Sequence, residues 1–166
     1  MTDFNNLIGP LLVREGGYSR RIADRGGATN FGITQDTYWH WLKKQGLPWA
    51  DVVGITKEDA INIYHNLYWI PANCEAIPDK LRDIHFDSAV QHGVGRAIML
   101  LQQAAGATAD GAFGPATLSA VFNIGEDLLL YRYIAARYRF YGQIVNKDRT
   151  QVANIVGWLN RMEGFA

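Results

Sequence analysis

The feature that most constrains the fold is helical periodicity that is interrupted once, near the start, by a cluster of glycines. After Asp3, a predicted N-cap, apolar residues follow the i, i+3, i+4, i+7 pattern of an amphipathic helix. Five glycines then fall between positions 16 and 32, too densely for a helix, which indicates a loop or a short hairpin. Helical patterns resume near Thr34 and dominate the rest of the chain. The sequence predicts a mainly α fold, a helical bundle with a small glycine-rich β or loop insert near residues 16–33.

Capping and helix-breaking residues predict where individual helices begin and end. Pro10 predicts a kink or a late start in the first helix. Thr56 and Asp59 form a capping-box pattern, and Pro115 suits the first turn of a short helix. Further helices are predicted over 34–46, 79–92, the segment RAIMLLQQAAG, a long stretch from Asp127, and the amphipathic tail 151–161. One core face is expected, consisting of Ala60, Tyr64, Leu67 and Tyr68. In the long helix, the residues that share one side are Leu128, Tyr131, Ala135, Tyr138 and Gly142.

Composition and charge exclude several classes of protein. Sixteen basic and sixteen acidic residues leave no net charge, which argues against a protein that wraps duplex DNA. The single Cys74 excludes disulfide frameworks and Cys-pair metal motifs. No apolar run reaches the roughly 18 residues of a spanning helix, and the N-terminus does not resemble a signal peptide. We expect no nucleic-acid partner, no stable membrane insertion, a monomer, and synthesis in the cytoplasm without a signal peptide.

Glu15 is the first candidate catalytic residue. Phe4, Ile8 and Leu11 lie 11, 7 and 4 residues before it, so all four share one face of the first helix. Glu15 therefore points toward the core side, at the negative end of the helix dipole. Partial burial and the dipole both favour a protonated carboxyl, which suits a general acid.

The glycine-rich segment supplies a second set of polar groups. Asp24 lies nine residues after Glu15, and Thr29 and Asn30 follow across Gly26-Gly27. Two carboxylates in unlike environments are what glycoside hydrolysis requires. The alternative is structural, because a Glu at a helix end is usually a solvated charge and an Asp before two glycines is usually a turn former.

Other side chains point to chemistry less strongly. His40, His65, His85 and His92 include no HExxH pair, so no metal site is expected, and no cofactor is implied. Cys74 has no evident partner base for nucleophilic catalysis. The aromatic and arginine-rich long helix and the five tryptophans fit either a core or a sugar-contacting surface.

Several motifs together resemble glycoside hydrolase family 108, which contains bacterial and phage N-acetylmuramidases. The segments that carry the resemblance are EGGY (15–18), DRGG (24–27), TNFGIT (29–34), FDSAVQHG (86–93), LLQQAAGATADGAFGPATLSAV (100–121) and GWLNRMEG (157–164). The resemblance implies a lysozyme-like helical domain in which Glu15 is the catalytic acid. Phage-type lysozymes also place an Asp nine positions after such a Glu and a Thr shortly afterwards, although here the Asp-to-Thr interval is one residue shorter.

The resemblance implies a peptidoglycan hydrolase that cleaves the β-1,4 bond between N-acetylmuramic acid and N-acetylglucosamine. Glu15, Asp24 and Thr29 are the expected catalytic residues, and Tyr18 and Asn30 the expected substrate contacts. One lysozyme-like domain, 1–166, is expected to divide into a catalytic part, 1–93, and a helical predicted-peptidoglycan-domain part, 94–166.

The expected setting is bacterial cell lysis, with peptidoglycan glycan strands as the partner, in the periplasm and with release through a holin. The turn Asp110-Gly-Ala-Phe-Gly-Pro-Ala-Thr117 resembles that of small peptidoglycan-binding modules, with scaffolding as the alternative. A lytic transglycosylase and a non-catalytic wall-binding or export-assisting protein are the rival interpretations.

Overall fold

The computed structural model describes residues 3–17 and 28–165. They form two compact units, one comprising Asp3–Ile70 and the other beginning at Pro71. Each unit is built mainly from α-helices, which confirms the predicted fold class. No helix within the described ranges is long and apolar enough to cross a bilayer.

Over residues 3–17 and 28–70, the first unit consists of three helices, a minimal hairpin and two irregular turns. Its elements in chain order are α1 (Phe4–Glu15), β1 (Thr29–Asn30), β2 (Ile33–Thr34), α2 (Gln35–Lys44), a 3₁₀ turn (Val52–Gly54), α3 (Lys57–Tyr64) and a π-helical turn (His65–Trp69). The strands pair antiparallel, with Thr29 opposite Thr34 and Asn30 opposite Ile33. The glycine-rich segment therefore ends in a hairpin, one of the two predicted forms.

The start of α1 is set by its N-cap rather than by Pro10. The Asp3 side chain accepts a hydrogen bond from the Asn6 amide at 3.0 Å, which confirms the predicted cap. The helix begins at Phe4 and runs through Pro10, so the expectation of a late start is wrong. Apolar side chains on both sides of Pro10 are buried, and their burial outweighs the hydrogen bond that proline removes.

The π turn after α3 alters the predicted core face. Thr56 and Asp59 form the predicted capping box. Beyond Tyr64 the hydrogen bonding lengthens, so that the Ile70 amide donates to the His65 carbonyl five residues back. This shift carries Trp69 into the core and leaves Leu67 and Tyr68 only half-buried. The expectation that Leu67 and Tyr68 are core residues is therefore wrong, because that expectation assumed an uninterrupted period of 3.6 residues.

The second unit is a bundle of five helices joined by short turns. Its elements are a 3₁₀ turn (Cys74–Ala76), α4 (Asp79–His92), α5 (Val94–Ala105), α6 (Pro115–Phe122), α7 (Glu126–Lys147), a second 3₁₀ turn (Arg149–Asn154) and α8 (Ile155–Glu163). Gly93 ends α4 and Gly106 ends α5, both with positive φ. Pro115 occupies the first turn of α6, as predicted.

The stripe of residues that periodicity places on one side of α7 is not its buried face. Leu128, Tyr131 and Tyr138 are exposed. The buried residues are Leu129, Tyr133, Ala136, Arg137 and Tyr141. This face contains a fully buried arginine whose charge is paired, and hydropathy alone marks such a face as polar. Periodicity therefore marks the more uniformly apolar stripe, of which Leu128, Tyr131 and Tyr138 face solvent.

Candidate active site

Glu15 is the last residue of α1 and lies where the chain leaves the helix. Gly16 follows it with φ +79°, and its amide donates to the Leu12 carbonyl at 3.1 Å. This glycine conformation ends the helix immediately after the carboxylate. The Glu15 side chain is half-buried, as the apolar stripe of α1 predicted. It therefore combines contact with the protein and access from solvent.

The hairpin β1–β2 closes through a two-residue turn, Phe31-Gly32. Both residues have positive φ, +51° and +74°, which is the type I′ pattern that matches the twist of a hairpin. Positive φ is uncommon for a residue other than glycine. The Tyr64 hydroxyl donates a hydrogen bond to the Phe31 carbonyl at 2.8 Å, which anchors the turn at the residue whose backbone is least favourable.

The tip of this hairpin packs directly on the Glu15 side chain. A Cβ placed on Gly32 would lie 2.7 Å from Glu15 Cβ, 2.9 Å from Glu15 Cγ and 2.8 Å from the Tyr64 hydroxyl. Only hydrogen fits at this position, because real Cβ contacts are not that short. The structure thus brings the end of α1, the hairpin tip and the end of α3 together around one carboxylate.

Tyr68 is the second tyrosine near Glu15. Its ring centroid lies 5.7 Å from that of Tyr64. Burial raises the pKa of the Tyr68 hydroxyl, the hydrogen bond with Thr37 lowers it, and the nearby Glu15 carboxylate raises it. The net increase keeps Tyr68 protonated. Sequence reasoning missed both tyrosines as site residues because their helical spacing indicated a core face.

Among the other predicted site residues, Thr29 and Asn30 lie in β1. Asn30 is buried, and its Nδ2 donates to the carbonyls of Val52 at 3.3 Å and Val53 at 3.2 Å. Thr29 is half-buried and pairs with Thr34. Asp24 and Tyr18 lie outside the described residues. The substrate-binding role of Asn30 and the catalytic roles of Asp24 and Thr29 stay predictions.

The turn Asp110–Thr117 is organised around a buried glutamine. Gln102 Nε2 donates to Asp110 Oδ1 at 2.8 Å and lies 3.0 Å from the Thr117 hydroxyl. The Gly111 amide donates to Gln102 Oε1 at 2.9 Å. The Ala112 amide and Gln102 lower the pKa of Asp110. The polar groups of this turn serve one another, which favours the scaffolding alternative.

Two histidines of the second unit lie within the protein: His85 is buried and His92 is half-buried. His85 Nε2 lies 2.8 Å from the Ala72 carbonyl, which can only accept, so Nε2 carries the proton. Nδ1 lies 3.0 Å from the Tyr133 hydroxyl, which also lies within hydrogen-bond distance of the Ala97 carbonyl, at 3.2 Å. Burial lowers the pKa of His85 to about 4. Burial, with Arg137 next in importance, also lowers the pKa of His92 to about 4. Over the described ranges, no three His, Cys, Asp or Glu side chains are grouped as metal ligands.

A buried charge cluster joins α4, α7 and α8, and sequence reasoning missed it. Asp87 Oδ2 lies 2.5 Å from Arg137 Nη2, and Asp87 Oδ1 lies 2.7 Å from Arg161 Nη2. Burial alone would raise the pKa of Asp87, but the two guanidinium groups hold it below its usual value. The motifs FDSAVQHG and GWLNRMEG supply Asp87 and Arg161, so their polar residues have a packing role. Cys74 is also buried, and burial raises the pKa of its thiol.

Comparison with known proteins identifies two family models and several similar solved chains. The model described as Glycosyl hydrolase 108 matches residues 8–93, and that described as Predicted Peptidoglycan domain matches residues 96–163. The solved structure of Brucella abortus SagA is 29% identical in sequence, covering 98% of this chain and 90% of that chain with a TM-score of 0.84. No curated protein matches the sequence.

Proposed function

The chain belongs to glycosyl hydrolase family 108, and from that premise we propose that it is an N-acetylmuramidase. It is a glycoside hydrolase, and its predicted peptidoglycan domain supports peptidoglycan as its substrate. The proposed reaction is hydrolysis of the β-1,4 bond between N-acetylmuramic acid and N-acetylglucosamine. Its proposed setting is the cell wall during bacterial lysis.

Glu15 is the proposed general acid. The observation that carries this assignment is the contact between the hairpin tip and the Glu15 side chain, which leaves room only for Gly32. A catalytic acid must be held in one orientation toward the glycosidic oxygen, and a close-packed side-chain stem provides that restraint. Glu15 is also only half-buried, so the residue keeps some of the access from solvent that a sugar substrate needs.

Asp24 is proposed to act on the far face of the sugar, on water or on the oxocarbenium-like transition state, with Thr29 assisting. A glycosidase needs a second polar group of this kind opposite its acid. The position of Thr29, two residues before the hairpin turn that contacts Glu15, supports this proposal. Tyr18 and Asn30 remain the proposed substrate contacts.

The deciding experiment is digestion of purified sacculi, with the products reduced by borohydride and analysed by mass spectrometry. A muramidase releases fragments with reduced muramic acid at the new end. Anhydromuramyl ends would instead identify a lytic transglycosylase, and reduced glucosamine ends would identify cleavage of the other glycosidic bond. Either result would contradict the proposed reaction.

The same assay tests the role of Glu15. Glu15→Gln keeps the shape of the side chain and removes its proton-donating carboxyl, so product release should fall by at least about 100-fold. Glu163→Gln is the matched control, since Glu163 is also the last residue of its helix but is exposed. It should digest sacculi like the wild type. A fully active and folded Glu15→Gln enzyme would show that Glu15 is not the acid.

A further inference from the structure

We propose that Tyr64 is a positioning residue, which holds the hairpin tip against Glu15 and thereby sets the direction of the Glu15 carboxyl. Tyr64 is 2% exposed and is the last residue of α3. Its hydroxyl reaches the Phe31 carbonyl, 33 positions earlier in the chain. The proposal rests on the function proposed above for Glu15.

The first step is the anchoring of the tip. Phe31 has φ +51°, a left-handed conformation that disfavours a side chain with a Cβ. The hydrogen bond from Tyr64 is partly buried, so water competes less for the Phe31 carbonyl than it would at an exposed turn. Its loss would leave the Phe31 carbonyl without this donor and would allow the turn to relax toward a conformation with lower backbone strain.

The second step is the coupling of the tip to the carboxylate. A Cβ added to Gly32 would lie 2.7 and 2.9 Å from Cβ and Cγ of Glu15 and 2.8 Å from the Tyr64 hydroxyl oxygen. The tip is therefore in contact with both groups at once. A displacement of Gly32 by a fraction of an ångström opens or closes the space into which the Glu15 side chain can rotate. The position of the Tyr64 hydroxyl is thus transmitted to the acid by packing.

The third step separates this role from catalysis. The Tyr64 proton is directed at a backbone carbonyl, so Tyr64 donates no proton to substrate. Removing the hydroxyl should change the alignment of Glu15 in the transition state more than the binding of glycan. The expected signature is a fall in kcat with little change in KM.

The test compares Tyr64→Phe with Tyr38→Phe on soluble, uncross-linked peptidoglycan strands. Tyr64→Phe keeps the ring and loses only the hydroxyl, and kcat should fall by about 10- to 100-fold while KM stays within about twofold. Tyr38 is also a buried tyrosine of the same unit, and Tyr38→Phe should keep the wild-type kcat. An unchanged kcat for Tyr64→Phe, or an equal loss in the control, would overturn the proposal.

Two further variants make the outcome decisive. In Glu15→Asp the carboxyl is already displaced, so adding Tyr64→Phe should reduce kcat by much less than it does alone, whereas a purely structural effect would multiply. If Tyr64→Phe does not fold, Gly32→Ala tests the same contact, because the added methyl must displace the Glu15 stem and lower kcat. An unaltered kcat in Gly32→Ala would refute the coupling.

The two proposals fail in different ways. If Glu15→Gln is as active as the wild type, the proposed general acid is wrong, whatever Tyr64→Phe does. If Glu15→Gln is inactive and Tyr64→Phe has the wild-type kcat, Glu15 keeps its role and only the positioning role of Tyr64 is lost.

Discussion

The two units hold their charged groups in opposite ways. In the first unit, Glu15 is half-buried at a helix end, beside backbone with positive φ and a π turn. In the second unit, Asp87 and Arg137 are fully buried in regular helices and paired with each other. The strongest burial of charge in the described chain is therefore found in the ion cluster and not at the proposed acid. In this protein the buried charges connect helices to one another, whereas irregular backbone surrounds the candidate active site.

The largest expected effect comes from breaking the ion cluster. Asp87→Asn would leave Arg137 and Arg161 without their carboxylate, and the free energy of unfolding should fall by about 3–5 kcal/mol. Asp127→Asn is the matched control, because Asp127 forms an exposed ion pair with Lys80 and its loss should cost less than about 1 kcal/mol. Urea unfolding followed by circular dichroism measures both. Equal losses would contradict the contrast between buried and exposed pairs.

An intermediate effect is expected from acid. Burial lowers the pKa of His85 to about 4, while an unfolded chain has a histidine pKa near 6.5. Between these values the unfolded chain binds a proton that the folded chain excludes, so stability is fully present above about pH 6.5 and is lost as pH falls toward 4. The contribution is up to about 3 kcal/mol.

The measurement for this acid effect is the unfolding free energy at a series of pH values. His40→Gln serves as the control, because His40 is exposed and its replacement should leave the slope unchanged. The slope of the unfolding free energy against pH gives the number of protons taken up on unfolding, and His85→Gln should lower this number by up to one. A slope that is the same in both variants would mean that His85 does not carry the acid sensitivity.

The smallest effect should come from Asn30, at the edge of the candidate site. Asn30→Ala removes two hydrogen bonds to the carbonyls of Val52 and Val53, and the unfolding free energy should fall by about 1–2 kcal/mol. Thermal unfolding measures the bracing role of Asn30, and KM measured on the folded variant tests its proposed contact with substrate. A raised KM is expected from the proposed substrate contact, and an unchanged KM would limit Asn30 to bracing the hairpin.

Local signals in the sequence predicted most of the helices and the position of Glu15. Asp3, Thr56 and Gly93 act through contacts within a few residues of themselves, which is why their capping roles could be predicted. The partner of Arg137 is 50 residues away, and the bond from Tyr64 spans 33 residues. Such pairings depend on how the helices pack, so periodicity did not identify the buried face of α7. It also treated Tyr64 only as a core residue.

The π turn at His65–Trp69 has a consequence for how this segment can vary. Its hydrogen bonding accommodates one residue more than a regular α-helical turn. A single deletion there would restore the ordinary repeat and, because the turn absorbs the extra residue, leave the side chains on either side close to their present directions. Trp69 would then keep its ring contact with Phe4, whose centroid lies 5.6 Å away. Homologous chains should therefore lose one residue from this segment more readily than they gain one.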